Sequence, residues 1–312
     1  MRLFGLVSVI AGRMALAAAF SFVMAAESMA IDTPINAVVV GGSSGMGEAA
    51  AIAVVRRGGR VLLCSRSTDK LSKAKERVQN ESAGGSVDVA QLDATDEEDL
   101  MALADKLPQN EYDTLIVSAA GKAPHGSLYD LITNDMREMI ESKFFSAYLS
   151  AKYISPKLSD GGSITFVSGV LNRRPGLNCS PLAVTNGALE GLTRSLALEL
   201  GPRLRVNCLS PGFCNTARFD HMEKIRKEAM LANTADSLPL RRVGAPEDMG
   251  EAIYYLSSSP FVTGLFSFSF GYFLHSIFTL LWIILGVVLD VDGGHTIRQY
   301  ANPNTDVMRS KK

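Results

Sequence analysis

The segment Gly41-Gly-Ser-Ser-Gly-Met-Gly47 follows the apolar run Val38-Val-Val40 and precedes a helical pattern from Glu48 to Arg57. Glycine admits positive φ and lets backbone amides approach a ligand closely, and a helix starting here aims its unpaired N–H groups into the loop. A pyrophosphate is the natural guest. Placed between a strand and a helix, the loop reads as a dinucleotide cradle formed by Gly41, Ser43, Ser44, Gly45, Met46 and Gly47. The next apolar run, Arg60-Val-Leu-Leu-Cys64, ends on Ser65-Arg66-Ser67, where an NAD-preferring site would place a carboxylate for the ribose hydroxyls. No carboxylate is present. Arg66 can pair with a 2'-phosphate and the hydroxyls of Ser65 and Ser67 can donate to it, so NADP(H) is favoured over NAD(H).

The elements that must position these residues repeat along the chain. Val38–Val40, Arg60–Cys64, Val87–Leu92, Thr114–Val117, Ser163–Val167 and Leu204–Leu209 are apolar enough for strands buried on both faces, and each is followed by helical periodicity or a turn cluster. This alternation predicts an α/β fold, a single Rossmann-like doubly wound parallel sheet with helices on both faces and the ligand at the carboxyl ends of the strands. The domain is expected over 36–264 and 287–300, with a polar tail at 301–312.

Two stretches fall outside that domain. Residues 1–30 carry Arg2 and Arg13, long apolar runs and no acid before Glu27, the profile of a targeting or membrane-anchoring leader. A signal peptide, a signal anchor and an organellar presequence all remain open, and localisation is correspondingly organellar or membrane-associated. Residues 265–286 form an uncharged hydrophobic insertion long enough for a membrane span. A single crossing would strand Val287–Val291 on the far side of the bilayer from its own sheet. Excising the insertion joins Phe261-Val-Thr-Gly264 directly to Val287-Val-Leu-Asp-Val291, so the segment reads as a retained intron or a loop contacting a membrane. Among 312 residues, 47% are hydrophobic and 20% charged, with a formal net charge of -1. Nucleic acid is therefore not an expected partner, because phosphate binding needs a basic surplus or stripe. Cys64, Cys179, Cys208 and Cys214 show neither metal-ligand nor disulfide-framework spacing, which suits a reducing compartment, and no metal site is expected.

Further residues carry a resemblance. Beyond the glycine loop they are Leu92-Asp-Ala-Thr-Asp96, Ala120-Gly121, Arg205-Val-Asn207, Ser210-Pro-Gly212 with Thr216, Arg242-Val-Gly-Ala-Pro-Glu-Asp248 and Val291-Asp-Gly-Gly294. In this order they resemble the short-chain dehydrogenase/reductase family from about Asn36 to Thr296, apart from the insertion. The resemblance implies that Asp93 contacts the adenine, that Ala120 and Gly121 lie along the cofactor, and that Pro211, Gly212 and Thr216 lie beside the nicotinamide. It also implies a homo-oligomer paired through the helices around 143–152 and 182–200, and a small-molecule carbonyl or alcohol substrate.

The same alignment removes the family's catalytic groups. Its tyrosine position is Leu182, its lysine position Asn186, its serine position Gly169 and its asparagine position Lys143. Leucine cannot donate a proton, and the loss of tyrosine removes the need for the lysine that tunes it, while Asn186 can still hydrogen-bond the ribose. Two readings follow. In one, an oxidoreductase uses a rearranged proton donor, with Lys143 as a cation whose pKa desolvation lowers, Ser168 as a hydroxyl, and Lys122 or His125 reaching in from a substrate loop. In the other, a catalytically silent NADP-binding protein serves sensing or assembly, and Lys143 is a surface or dimer-contact residue. The substrate pocket is expected along Leu171, Arg173, Arg174 and Leu177 and the loop 213–233, with the arginines able to admit an acid group.

Overall fold

The computed structural model describes residues 34–263, 266–267 and 287–291. The leader at 1–30, the tail at 301–312 and most of the insertion lie outside the described residues. Among the described residues eight parallel strands form one sheet: β1 Ala37–Val40, β2 Val61–Ser65, β3 Val87–Gln91, β4 Thr114–Val117, β5 Ser163–Val167, β6 Arg205–Pro211, β7 Phe266–Ser267 and β8 Val287–Val291. Their order is β3-β2-β1-β4-β5-β6-β8-β7. Strand order runs outward in opposite senses from β1 and β4, which are themselves parallel, and this switch point creates the crevice at which open parallel sheets bind ligands. β8 lies beside β6 in the register Asn207↔Val287 to Pro211↔Val291, so the strand after the insertion does return to the sheet, and Phe266–Ser267 adds two residues beside it.

Every residue of β1, β4 and β5 is buried, as expected for strands covered by helices on both faces. β3 departs from that expectation. It is the sheet's edge strand, and only Val87 is fully buried, while Asp88, Val89, Ala90 and Gln91 are partly or largely exposed. Its alternation reflects one covered face and one wet one.

The helices are α1 Gly45–Val55, α2 Thr68–Asn80, α3 Glu97–Lys106, α4 Thr133–Met139, α5 Ser146–Ile154, α6 Ser180–Leu200, α7 Lys224–Ser237 and α8 Pro246–Ser258. Two apolar clusters flank the sheet. One gathers Val38, Leu100, Leu115, Ile154, Phe166 and Leu189; the other gathers Val39, Val54, Leu63, Ile116, Ile253 and Tyr254. Burying each such side chain contributes about 1.5–3 kcal/mol, which fixes the sheet as the frame for everything at its carboxyl edge. α1 is drawn tightly against α8 because both present small residues: a Cβ on Gly250 would lie 2.6 Å from the Ala49 carbonyl oxygen. The position of the phosphate-binding helix is thereby set by backbone-to-backbone packing.

Candidate active site

The glycine loop is built so that side chains would obstruct it. Gly41 has φ +83°, and a Cβ there would sit 2.6 Å from the amide nitrogen of Ala119, in the turn that follows β4. A Cβ on Gly47 would collide with the carbonyl oxygen of Gly41. The loop after β1 and the turn after β4 therefore touch through bare backbone, and Ser118 N–H donates to Val40 O at 2.9 Å across the same gap. Ser44 is the N-cap of α1 but its hydroxyl caps nothing, so the first-turn amides of the helix are left to a ligand. Ser65, at the end of β2, has a buried hydroxyl without a protein partner. Cβ-free backbone, uncapped amides and an orphaned hydroxyl along one edge fit a dinucleotide.

Other expected cofactor residues line the same edge. Arg66 is exposed beyond Ser65, and Ser67 caps α2 by accepting from Lys70 N–H at 3.3 Å. Asp93 accepts from the Thr95 amide at 3.0 Å and the Thr95 hydroxyl at 2.7 Å. Burial pushes its pKa up, but those hydrogen bonds and the charge of Arg66 outweigh burial and hold it below the usual value. Ala120 and Gly121 continue the turn after β4, and a Cβ on Gly121 would lie 2.6 Å from Ser142 Oγ. Pro211 ends β6, Gly212 follows it, and the Thr216 side chain packs 3.8 Å from where a Cβ of Gly45 would project.

On the other side of the crevice, Lys143 lies in a π-helical turn, Ile140–Phe145, between α4 and α5. The extra residue of such a turn re-aims a side chain, and here it sends a lysine inward, 7% exposed. Lys143 Nζ donates to Asn186 Oδ1 at 2.5 Å and to Ser168 O at 2.9 Å. Both acceptors are neutral. Burial, with repulsion from Arg218 second, pulls the lysine pKa from 10.5 down to about 8.

Asn186 is 1% exposed on α6, on one face with Leu182 and Glu190, which are 7% and 5% exposed. The Asn186 amide fills the space beside Gly169, where a Cβ would come within 2.9 Å of Nδ2. A hydroxyl at position 169 is thus displaced by the asparagine side chain.

Ser168 does not do what the sequence suggested. Its hydroxyl is directed at Glu190 Oε1, 3.3 Å, and Leu209 O, 3.2 Å, so it faces the protein interior, and its carbonyl, not its hydroxyl, meets the lysine. Glu190 also accepts from Arg173 at 3.0 Å, which takes that arginine out of the role of an anion receptor, and Arg174 is buried. Lys122 and His125 are exposed on the loop after β4, and His125 Nδ1 bonds with Ala123 O at 2.8 Å in that same loop. Neither joins the lysine. Sequence reasoning missed Glu190 and Arg218. A carboxylate at the spacing 182, 186, 190 on a buried helix face was the available signal for the first, and Arg218 lay unmarked within the pocket loop.

Comparison with known proteins shows the family to which this fold belongs. The family profile described as enoyl-(acyl carrier protein) reductase matches residues 40–267. Dehydrogenase/reductase SDR family member 4 of Homo sapiens is 32% identical over 252 residues, spanning 77% of this chain and 89% of that protein. The chain belongs to the short-chain dehydrogenase/reductase family. It is an oxidoreductase of that family by descent, with a site for a nicotinamide cofactor and a small-molecule substrate. A solved small-chain dehydrogenase in complex with NADPH shares 29% identity, has a TM-score of 0.65 and covers 85% of this chain and all of that one. The reductase/Diels-Alderase MalC from Malbranchea aurantiaca, at 23% identity and a TM-score of 0.71 over 84% of this chain and 96% of that one, shares the fold.

Proposed function

We propose that this protein is an NADP(H)-dependent oxidoreductase that reduces a carbonyl, or oxidises the corresponding alcohol, with Lys143 in place of the family's tyrosine as proton donor. The observation that carries this reading is the buried ammonium at the carboxyl end of β5, held by two neutral acceptors and with a pKa of about 8. A general acid is most effective when its pKa lies near the working pH. When bound, the nicotinamide supplies a hydride; the chain must supply charge stabilisation and a proton at the carbonyl oxygen. Lys143 Nζ has three N–H bonds and spends two on Asn186 and Ser168, which leaves one for that oxygen. Asn186 and the Ser168 carbonyl fix the ammonium, and Leu182 closes the vacated tyrosine position with an apolar side chain that excludes water. Preference for NADP(H) rests on Arg66 and the Ser65 hydroxyl at the end of β2, in keeping with the NADPH held by a relative.

The competing reading is a catalytically silent NADP-binding sensor or assembly protein, favoured by the inward-turned Ser168 hydroxyl and the absence of any hydroxyl at 169 and 182. Single-turnover oxidation of bound NADPH against a panel of carbonyl compounds separates the two. The expected result is oxidation that falls by about 100-fold or more in Lys143→Ala, with NADPH affinity changed less than about threefold. Tight NADPH binding with no oxidation by any carbonyl would establish the silent reading instead. We further infer a homo-oligomer, because the π-helical turn exposes Phe145, α5 exposes Tyr148 and α6 exposes Val184 and Leu198, on the helices through which the family pairs. Among the described residues no helix is long and apolar enough to cross a membrane. Membrane contact and an organellar location accordingly rest on the leader and insertion alone.

A further inference from the structure

We propose that Glu190 is a positioning residue for Lys143 that acts through Ser168: its carboxylate holds the Ser168 hydroxyl, so that the Ser168 carbonyl stays aimed at the lysine ammonium. The inference deepens the reduction reading above, on which the use of Lys143 as proton donor rests. Asn186 and Glu190 stand one turn apart on the same face of α6. Asn186 Oδ1 accepts from Lys143 Nζ at 2.5 Å, and Glu190 Oε1 accepts from Ser168 Oγ at 3.3 Å. Ser168 O in turn accepts from Lys143 Nζ at 2.9 Å. The contacts close a ring from the lysine through one turn of helix and back through Ser168. All of it is buried: Asn186, Glu190, Ser168 and Lys143 are 1%, 5%, 5% and 7% exposed.

Two residues one turn apart on a helix cannot move independently, so α6 sets both hydrogen bonds of the ammonium from a single rigid element. Ser168 is the joint. Its N–H donates to Leu209 O at 2.8 Å, and its hydroxyl shares one proton between Leu209 O, at 3.2 Å, and Glu190. The amide bond pins Ser168 to β6, and the Glu190 bond ties the same residue to α6. Gly169 follows at φ +157°, a conformation open to glycine, and the lack of a side chain there leaves the peptide between the two residues free to turn. The direction of the Ser168 carbonyl therefore depends on what holds Ser168. Glu190 is itself held, because Oε1 also accepts from Arg173 Nη2 at 3.0 Å. The charged and titratable groups that act on the lysine directly are Arg218, which disfavours protonation, and Cys208, which favours it. The influence of Glu190 accordingly runs through Ser168.

The test uses the whole chain with its lysines labelled with carbon-13 at Cε, the Lys143 resonance being assigned by its disappearance in Lys143→Met and followed by NMR as the pH is raised. The parent midpoint is expected at about 8. A carbonyl that accepts from the ammonium favours the charged form, so loosening that bond lowers the proton affinity of the lysine. Glu190→Leu should lower it about tenfold, whereas Glu190→Gln, whose amide oxygen can still accept from Ser168, should stay within about twofold of the parent. Ser168→Ala leaves Glu190 and Arg173 paired and should lower it about threefold, which decides the question if Glu190→Leu does not fold. An unchanged midpoint in Glu190→Leu or in Ser168→Ala would overturn the proposal. Equal falls in the Leu and Gln variants would overturn it as well, since the charge of Glu190 and not its hold on the hydroxyl would then be acting. The midpoint is read without turnover, so a parent that never oxidises NADPH sinks the reduction reading and still leaves these midpoints to decide the positioning. Where oxidation occurs, the fall of its rate at high pH should begin at lower pH in Glu190→Leu, and a profile that stays in place would overturn the link to the reaction.

Discussion

The two sides of the crevice are built from different materials. On the cofactor side the contacts are backbone: Gly41 against Ala119, Gly47 against Gly41, and the uncapped amides of α1. On the side of Lys143 they are side chains, Lys143 with Asn186 and Ser168 with Glu190. A site made of backbone tolerates no added atoms, because the obstruction lies within the main chain and cannot rotate away. A site made of side chains can be rebuilt when partners change together. Asn186 fills the space beside Gly169 and accepts from the lysine that stands across from it, so Lys143, Gly169 and Asn186 share one small volume and are expected to be energetically coupled.

The sharpest way to break this contrast is Gly41→Ala. The added Cβ would lie 2.6 Å from Ala119 N in a residue held at φ +83°, so the loop must move. NADPH affinity, measured by fluorescence titration, should fall by more than about 100-fold, while far-UV circular dichroism shows the sheet intact. Gly45→Ala is the control: at φ +60° it is strained, but its Cβ would meet nothing closer than the Thr216 side chain at 3.8 Å, and the loss should be about tenfold. Equal losses would mean that conformational strain, not backbone contact, explains the loop.

The catalytic side should show a cost of its own. The folded pKa of Lys143 is about 8, against an ordinary 10.5, so between those values the unfolded chain binds more protons and stability rises with pH. At and below pH 8 the folded state carries a buried charge without a counter-ion. Lys143→Met removes the charge while keeping the bulk. Its stability relative to the parent should therefore be highest near pH 7 and decline by about 3 kcal/mol as the pH reaches 10.5. Denaturant titrations of the two cofactor-free proteins across that range check it. A difference independent of pH would show that the ammonium is not held in a charge-disfavouring site.

How much of this was legible in the sequence follows the same division. The strands of the sheet interior announced themselves as apolar runs because both their faces are covered, and β3 misled because an edge strand has only one. The glycine loop was readable because its geometry is encoded within a few consecutive residues. The lysine contacts join residues 25 and 43 positions apart, and no local pattern specifies them. Ser168 was assigned a hydroxyl role from its place at the end of a strand, yet which way a hydroxyl points depends on Glu190 in another element.

The smallest effect expected concerns Arg66, and it tests whether the cofactor side is backbone throughout. Arg66 is exposed at the end of β2, beside a Ser65 hydroxyl that has no protein partner. A 2'-phosphate placed there would gain a charge-assisted hydrogen bond from the guanidinium, but exposure to water and salt reduces its worth to about tenfold in affinity. Arg66→Ala should accordingly weaken NADP(H) about tenfold and leave NAD(H) within about twofold, because only the former carries the extra phosphate. The difference should shrink as ionic strength rises from about 0.05 to 0.5 M, since the Debye length falls well below the reach of an exposed charge. Parallel weakening of both nucleotides would mean that Arg66 acts on the loop rather than on a phosphate, and cofactor choice would then have to be sought in Ser65 and the backbone around it.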